Sequence, residues 1–148
     1  MYNSEEFDSA KTKVLKYILY KKRSENEIRN KFALTIEENM LEDIIEYLKQ
    51  AGYIDDTVFI EKTVNNFRAL KNLSIKEIKY KLLAKGLDKS QIENYFYSNK
   101  DDLEEYEVKS AQNIIYKKTS LMEEQELKEY LLKKGYKMEN IEKAFEEE

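Results

Sequence analysis

The side chains that most often do enzyme chemistry are missing: the 148 residues include neither histidine nor cysteine. Without cysteine there is no thiolate nucleophile, disulfide or thiolate metal site. Without histidine the commonest general base and metal ligand is gone, and no serine or threonine has an imidazole to activate it. Carboxylates remain abundant, and the pairs Asp55-Asp56 and Asp101-Asp102 could offer oxygens to a hard cation. Both pairs, however, stand just before a predicted helix, where acidic side chains complement the helix dipole, and neither sits in a glycine-containing calcium loop. The three glycines, Gly52, Gly86 and Gly135, lie far apart, so no glycine-rich loop can cradle a phosphate. The expectation is a protein that is not an enzyme, with no catalytic residues, cofactor or metal.

Chemistry of recognition is better represented. Within 75–85 the cations Lys76, Lys79, Lys81 and Lys85 face a single acid, Glu77, and Arg68 and Lys71 precede them. These six are the candidate partner-binding residues. A second basic stretch comprises Lys11, Lys13, Lys16, Lys21, Lys22 and Arg23. The run EENMLEDIIEYLK is strongly acidic, so a trihelical reader that puts its third helix in the major groove is electrostatically disfavoured. The net charge of −4 and pI near 5.2 argue against a dedicated nucleic-acid binder while leaving room for a local basic groove. Among the 12 tyrosines, Tyr17, Tyr47, Tyr53, Tyr95 and Tyr130 fall beside apolar positions at helical spacing, which reads as packing filler with the hydroxyls at solvent.

Helices must position these groups. Proline is absent and glycine scarce, so the turns of a β-rich chain could not be built. Ser, Thr or Asp with Glu or Gln three residues on is a helix-start signature. It occurs as Ser24/Glu27, Thr35/Glu38, Ser74/Glu77, Asp88/Gln91, Asp101/Glu104 and Ser120/Glu123. Each glycine follows an apolar run at helical spacing, where a helix should stop. Residues 74–96 overlay 123–145 without a gap: Ile78 on Leu127, Leu82 on Leu131, Lys85-Gly86 on Lys134-Gly135, Ile92 on Ile141 and Phe96 on Phe145. Residues 24–48 match more loosely, through Ser24, Glu27, Ile28 and Phe32. A period near 50 residues marks stacked supersecondary units.

The reading is all-α: three tandem three-helix repeats, at 1–54, 55–99 and 100–148, forming an elongated, curved molecule. Helices are predicted at 8–22, 25–33, 36–51, 56–72, 75–85, 89–98, 101–118, 121–134 and 139–147. Hydrophobic residues make up 41% and charged residues 38%, a balance that suits a thin core with much surface. No apolar run approaches the roughly 20 residues of a membrane helix, and the polar, acidic N-terminus is unlike a secretory signal. A cytoplasmic, monomeric protein is expected.

Certain residues carry a family likeness. Gly52-Tyr53-Ile54-Asp55-Asp56 with Phe59 matches a Gly–aromatic–aliphatic–Asp–Asp–x–x–aromatic junction. Ser24–Glu27–Ile28, the set Ile78, Leu82, Lys85 and Gly86, and Lys134-Gly135-Tyr136 match further elements in order and spacing. Over roughly 9–146 the chain resembles the RecX family of bacterial recombination regulators. The likeness implies three tandem three-helix repeats. It also implies a partner, RecA recombinase or its filament on single-stranded DNA, whose ATPase, strand-exchange and co-protease activities would be inhibited or modulated sterically. DNA itself would be contacted weakly. Ser74 stands where many members have glycine, and lysine largely replaces arginine, which keeps the charge but loses bidentate geometry. Read from the residues alone, two other functions stay open: a direct nucleic-acid-binding module with no RecA partner, and a helical scaffold for peptides.

Overall fold

A computed structural model describes residues 3–146 of the chain. The described residues form nine α-helices and no strand: α1 (Ser4–Tyr20), α2 (Glu25–Phe32), α3 (Glu38–Gln50), α4 (Asp56–Leu70), α5 (Ile75–Ala84), α6 (Lys89–Ser98), α7 (Lys100–Lys118), α8 (Glu124–Lys134) and α9 (Met138–Glu146). Each predicted helix is present, and the differences lie at the ends. α1 starts four residues before the expected 8, because the Asn3 side chain accepts from the Glu6 N–H at 2.8 Å and caps it. α8 starts later than 121, because the chain keeps turning past Lys118, whose carbonyl accepts from both Leu121 and Met122 N–H. Residue 147 of the last predicted helix lies outside the described residues.

Three of the six helix-start signatures form as read. Ser24 and Glu27 make a complete capping box, with bonds of 3.1 Å in both directions. Ser74 and Glu77 make another, at 2.9 and 3.0 Å, and Asp88 accepts from Gln91 N–H at 3.4 Å. The other three do not. Thr35 turns back to the Phe32 carbonyl, and the N-cap of α3 is Glu37. Asp101 lies inside α7, whose N-cap is Asn99, and α8 begins after Glu123 rather than Ser120.

The chain divides into two compact units. The first, Met1–Phe59 with Lys85–Leu87, packs α1, α2 and α3 around Val14, Ile28, Ile44, Ile45 and Leu48, all almost wholly buried. The second, Ile60–Ala84 with Asp88–Glu148, packs α5, α6 and α7 together and α7, α8 and α9 together. Its α7–α9 core holds Ala111, Leu127, Leu131, Tyr136 and Ile141.

One joint occurs in both units. In the first, the Asn26 amide at the start of α2 donates to the Lys85 carbonyl at 3.2 Å, and Gly86 (φ +81) approaches so closely that a Cβ would meet Asn26 Nδ2 at 2.1 Å. In the second, Ser74 Oγ donates to the Lys134 carbonyl at 2.9 Å, and a Cβ on Gly135 (φ +104) would lie 3.1 Å from Ser74 Oγ. A Lys-Gly turn therefore seats on the N-terminus of a capped helix, with glycine required by both backbone sign and space.

Carboxylates complete each joint. Asp56 Oδ1 accepts from the Glu25 N–H at 2.9 Å. Glu107, fully buried in α7, accepts from Ile75 N–H at 2.7 Å, from Lys137 N–H at 2.9 Å and from the Asn140 amide at 2.9 Å. One side chain thus receives the free N–H groups at the starts of both α5 and α9. Beside it, Leu73 O accepts from Tyr106 OH at 2.7 Å and Ser110 Oγ at 3.2 Å, and Ser110 Oγ bonds Tyr136 OH at 2.7 Å. Burial pushes the Tyr106 and Tyr136 hydroxyls up, so both stay neutral donors.

Candidate partner-binding surface

α5 buries Ile75, Ile78 and Leu82, and this stripe at helical spacing turns its remaining positions outward. Lys76 and Lys81 are exposed there, Lys79 is half-buried, and Lys85 follows the helix, exposed, in the first unit. Arg68 lies half-buried in the last turn of α4, and Lys71 is exposed just after the helix.

The six candidate cations differ in what they already hold. Arg68 Nη1 lies 2.7 Å from Asp102 Oδ2, and its guanidinium is 5.5 Å from the Tyr106 ring centroid. The guanidinium holds the Asp102 carboxyl below its usual range. Lys79 Nζ pairs with Glu93 at 3.4 Å and sits 5.1 Å from the Phe96 ring centroid. Lys71 adopts a positive φ of 49° and accepts from the Asn113 amide at 2.9 Å through its carbonyl. Lys76 lies against Gly135, and the Lys81 ammonium lies 6.0 Å from the Phe67 centroid. Among the described residues, Lys71, Lys76, Lys81 and Lys85 have no carboxylate within ion-pair distance, so their charges are available to a partner.

The cations are not gathered in one cleft. Arg68 and Lys71 line a hollow of about 470 Å³ with Asn65, Asp102, Tyr106 and Lys109. Lys79 lines another, of about 250 Å³, with Ile75, Phe96, Tyr97, Lys100 and Lys137. Neither hollow encloses the cations of the second unit as a single small-molecule pocket would.

Exposed apolar side chains beside the cations were not singled out from sequence. Tyr80 is 75% exposed and Leu83 43%, and they lie four and seven residues after Lys76, off the buried stripe. That spacing was the available signal. Of the tyrosines read as filler, Tyr17, Tyr95 and Tyr130 are half-buried, whereas Tyr47 and Tyr53 are exposed. Tyr47 is nonetheless engaged, with the Lys11 ammonium 4.4 Å from its ring centroid.

The carboxylate pairs work within the fold. Asp55 accepts from the Thr57 and Val58 N–H groups at the start of α4, Asp56 receives Glu25 N–H, and Asp102 holds Arg68. Burial raises the Asp56 carboxyl above its usual range against the opposing pull of that N–H bond. Among the described residues no group of three or more His, Cys, Asp or Glu side chains could hold a metal ion. No helix among them is long and apolar enough to cross a membrane.

Comparison with known proteins places the chain. No family-level sequence model matches it. Regulatory protein RecX of Staphylococcus carnosus is 28% identical over 89% of this chain and 51% of its own length. Those of Clostridium acetobutylicum and Caldanaerobacter subterraneus subsp. tengcongensis are each 30% identical, covering 93% and 94% of this chain and 68% and 70% of the relatives. The chain spans about half the length of the first curated relatives it matches. The crystal structure of RecX from Lactobacillus salivarius superposes with a TM-score of 0.84 at 22% identity, covering 98% of this chain and 97% of that one. A second crystal structure, of regulatory protein RecX, gives 0.78 at 20% identity over 95% and 73%. The all-α fold is that of these structures, and by its identity to relatives it covers by two thirds or more the chain belongs to the RecX family of regulatory proteins.

Proposed function

We propose that this protein is a regulator that binds RecA recombinase, free or as a filament on single-stranded DNA, and modulates it by occupancy rather than by catalysis. Membership of a family whose relatives are named regulatory proteins, with 30% identity across 93% of the chain, is the observation that carries this reading. The exposed cations and the neighbouring Tyr80 and Leu83 on α5 support it, since a partner with acidic and apolar groups could use both. Arg68, Lys71, Lys76, Lys79, Lys81 and Lys85 are the residues assigned to the partner-facing surface. Arg68 and Lys79 contribute less charge, because Asp102 and Glu93 already hold them. Inhibition of ATP hydrolysis, strand exchange and co-protease activity in the cytoplasm would follow from several modest contacts made along neighbouring RecA subunits. The recurring Lys-Gly joint supports a division into three-helix repeats at 1–54, 55–99 and 100–148.

Retention of the protein on immobilised single-stranded DNA coated with RecA tests the proposal. Retention above bare DNA, reduced in the variant Lys76→Glu/Lys81→Glu, is expected. Equal retention with and without RecA would remove the partner.

A further inference from the structure

The outer face of α5 carries an apolar centre as well as its cations. Ile75, Ile78 and Leu82 anchor the helix in the second unit, so Lys76, Tyr80 and Leu83, at i, i+4 and i+7, share the face turned away from that core. Tyr80 is 75% exposed and Leu83 43%, and the small, exposed Ala84 lies beside them. Lys81 flanks the row on one side, with its ammonium 6.0 Å from the Phe67 ring centroid. Lys79, held by Glu93, flanks it on the other. The one acid of the helix, Glu77, is held by Lys134 at 3.3 Å. The end of α8 seats on the start of α5 through the bond from Ser74 to Lys134, and there Leu132 is 41% exposed. The neighbouring acid on α8, Glu129, receives the Gln125 amide at 3.4 Å.

Such a face rejects most occupants. The backbone N–H and C=O groups of a helix are bonded within it, so an extended segment would gain no main-chain bonds from α5. A second copy docked through the same face would set Lys76 and Lys81 against their own counterparts. An anionic membrane needs a longer insertable stripe than Tyr80 and Leu83 provide. A phosphate backbone gains nothing from the two apolar side chains that stand between the lysines.

An amphipathic helix with acidic flanks meets every feature. Its apolar side chains at i, i+3 and i+7 repeat with the rise that separates Tyr80 from Leu83, about 4.5 Å at roughly 1.5 Å per residue. Ala84 leaves room for a close approach, and carboxylates beside the apolar stripe reach Lys76 and Lys81, which have no acid of their own within ion-pair distance among the described residues. We infer, on the reading that RecA is the partner, that the outer face of α5 receives an acidic amphipathic helix of RecA, with Tyr80 and Leu83 as its apolar anchors and Lys76 and Lys81 on its carboxylates. The anchors then carry most of the affinity, and the lysines set orientation and salt dependence.

Affinity of the full chain for single-stranded DNA coated with RecA, measured for three variants, tests the site. Tyr80→Ala/Leu83→Ala should weaken binding about ten-fold or more and leave its salt dependence as in wild type. Lys76→Gln/Lys81→Gln should weaken it about three-fold at low salt and much less at high salt, where exposed charges are screened. The control Leu121→Ala, which is 75% exposed and outside the row, should bind as wild type does. A photo-reactive benzoylphenylalanine placed at position 80 identifies the occupant by mass spectrometry of the cross-linked peptide. That peptide should lie in a helix of RecA with acidic residues beside apolar ones at i and i+3 or i+4. Failure of the wild-type protein to bind RecA-coated DNA would overturn the RecA reading and this site with it. Binding by wild type that Tyr80→Ala/Leu83→Ala leaves unchanged would overturn the α5 site alone, as would a cross-link to DNA, a strand or a loop.

Discussion

Removing the Glu107 carboxylate should destabilise the second unit more than any other single change to a charged residue. The side chain is fully buried and accepts from Ile75 N–H, Lys137 N–H and the Asn140 amide. Glu107→Ala leaves the Ile75 and Lys137 N–H groups without an acceptor and the Asn140 amide with Glu104 alone. Each buried, unsatisfied donor costs about 1–3 kcal/mol. The truncation leaves space that water can enter, and it removes the desolvation cost of the carboxylate itself, so the lower end applies. The two orphaned N–H groups and the lost Asn140 bond, at about 1 kcal/mol each, give a loss of about 3 kcal/mol. At roughly 2–4 °C per kcal/mol for a chain of this size, the melting temperature should drop by about 10 °C. Glu107→Gln keeps the shape but turns one acceptor into a donor, and about 1–2 kcal/mol should be lost. Glu105→Ala on the same helix removes only an exposed pair with Lys109 and should cost no more than about 0.5 kcal/mol. Urea unfolding followed by circular dichroism measures all three. Hydrogen exchange adds a local signature, because the first-turn amides of α5 and α9 should lose protection first. A Glu107→Ala variant within about 0.5 kcal/mol of wild type would refute the reasoning.

Further outcomes follow from the same joints. Gly52→Ala meets open space and should cost only the left-handed strain of about 1 kcal/mol, whereas Gly135→Ala adds a 3.1 Å contact with Ser74 Oγ and Lys76 Cβ and should cost more. Thermal melts of the two variants side by side decide the order. Ser24→Ala should lose about 1 kcal/mol for its cap, and Ser74→Ala about 1 kcal/mol more because its hydroxyl also holds the Lys134 carbonyl. Acid titration of stability tests Glu104. Burial pushes its carboxyl up, but the Lys137 ammonium and Asn140 amide outweigh this and hold it below the ordinary 4.5. A depressed folded pKa contributes stability above the unfolded value, lost as pH falls through the folded one. The deficit of Glu104→Gln should therefore be full at neutral pH and shrink toward zero in strong acid, as read by urea unfolding at several pH values.

Helices and their capped starts were legible because local chemistry sets them. The Ser24 and Ser74 boxes need only residues within four positions of one another, and both form. Thr35, Asp101 and Ser120 carry the same local pattern and fail, because the preceding turn continues through hydrogen bonds three or four residues back and decides where those helices begin. The Lys-Gly pairs were legible as helix stops, yet their second use, seating on Asn26 and Ser74, depends on contacts 59 and 60 residues away in sequence. Glu107 was missed because it lies in the acidic run DDLEEYE, where one carboxylate looks like the next. A signal was present: it falls four residues after Leu103 and four before Ala111, on the apolar register of α7. The candidate surface was legible as a list of cations and not as a site, since Arg68 and Lys79 are partly neutralised by Asp102 and Glu93 on other helices.

The proposed function is modulation of RecA through binding. Steady-state ATP hydrolysis by RecA on single-stranded DNA, measured as this protein is added, tests that most directly. The account predicts a progressive fall in hydrolysis, weakened in the variant Lys76→Glu/Lys81→Glu. A rate that stays unchanged at a several-fold molar excess over RecA would contradict it.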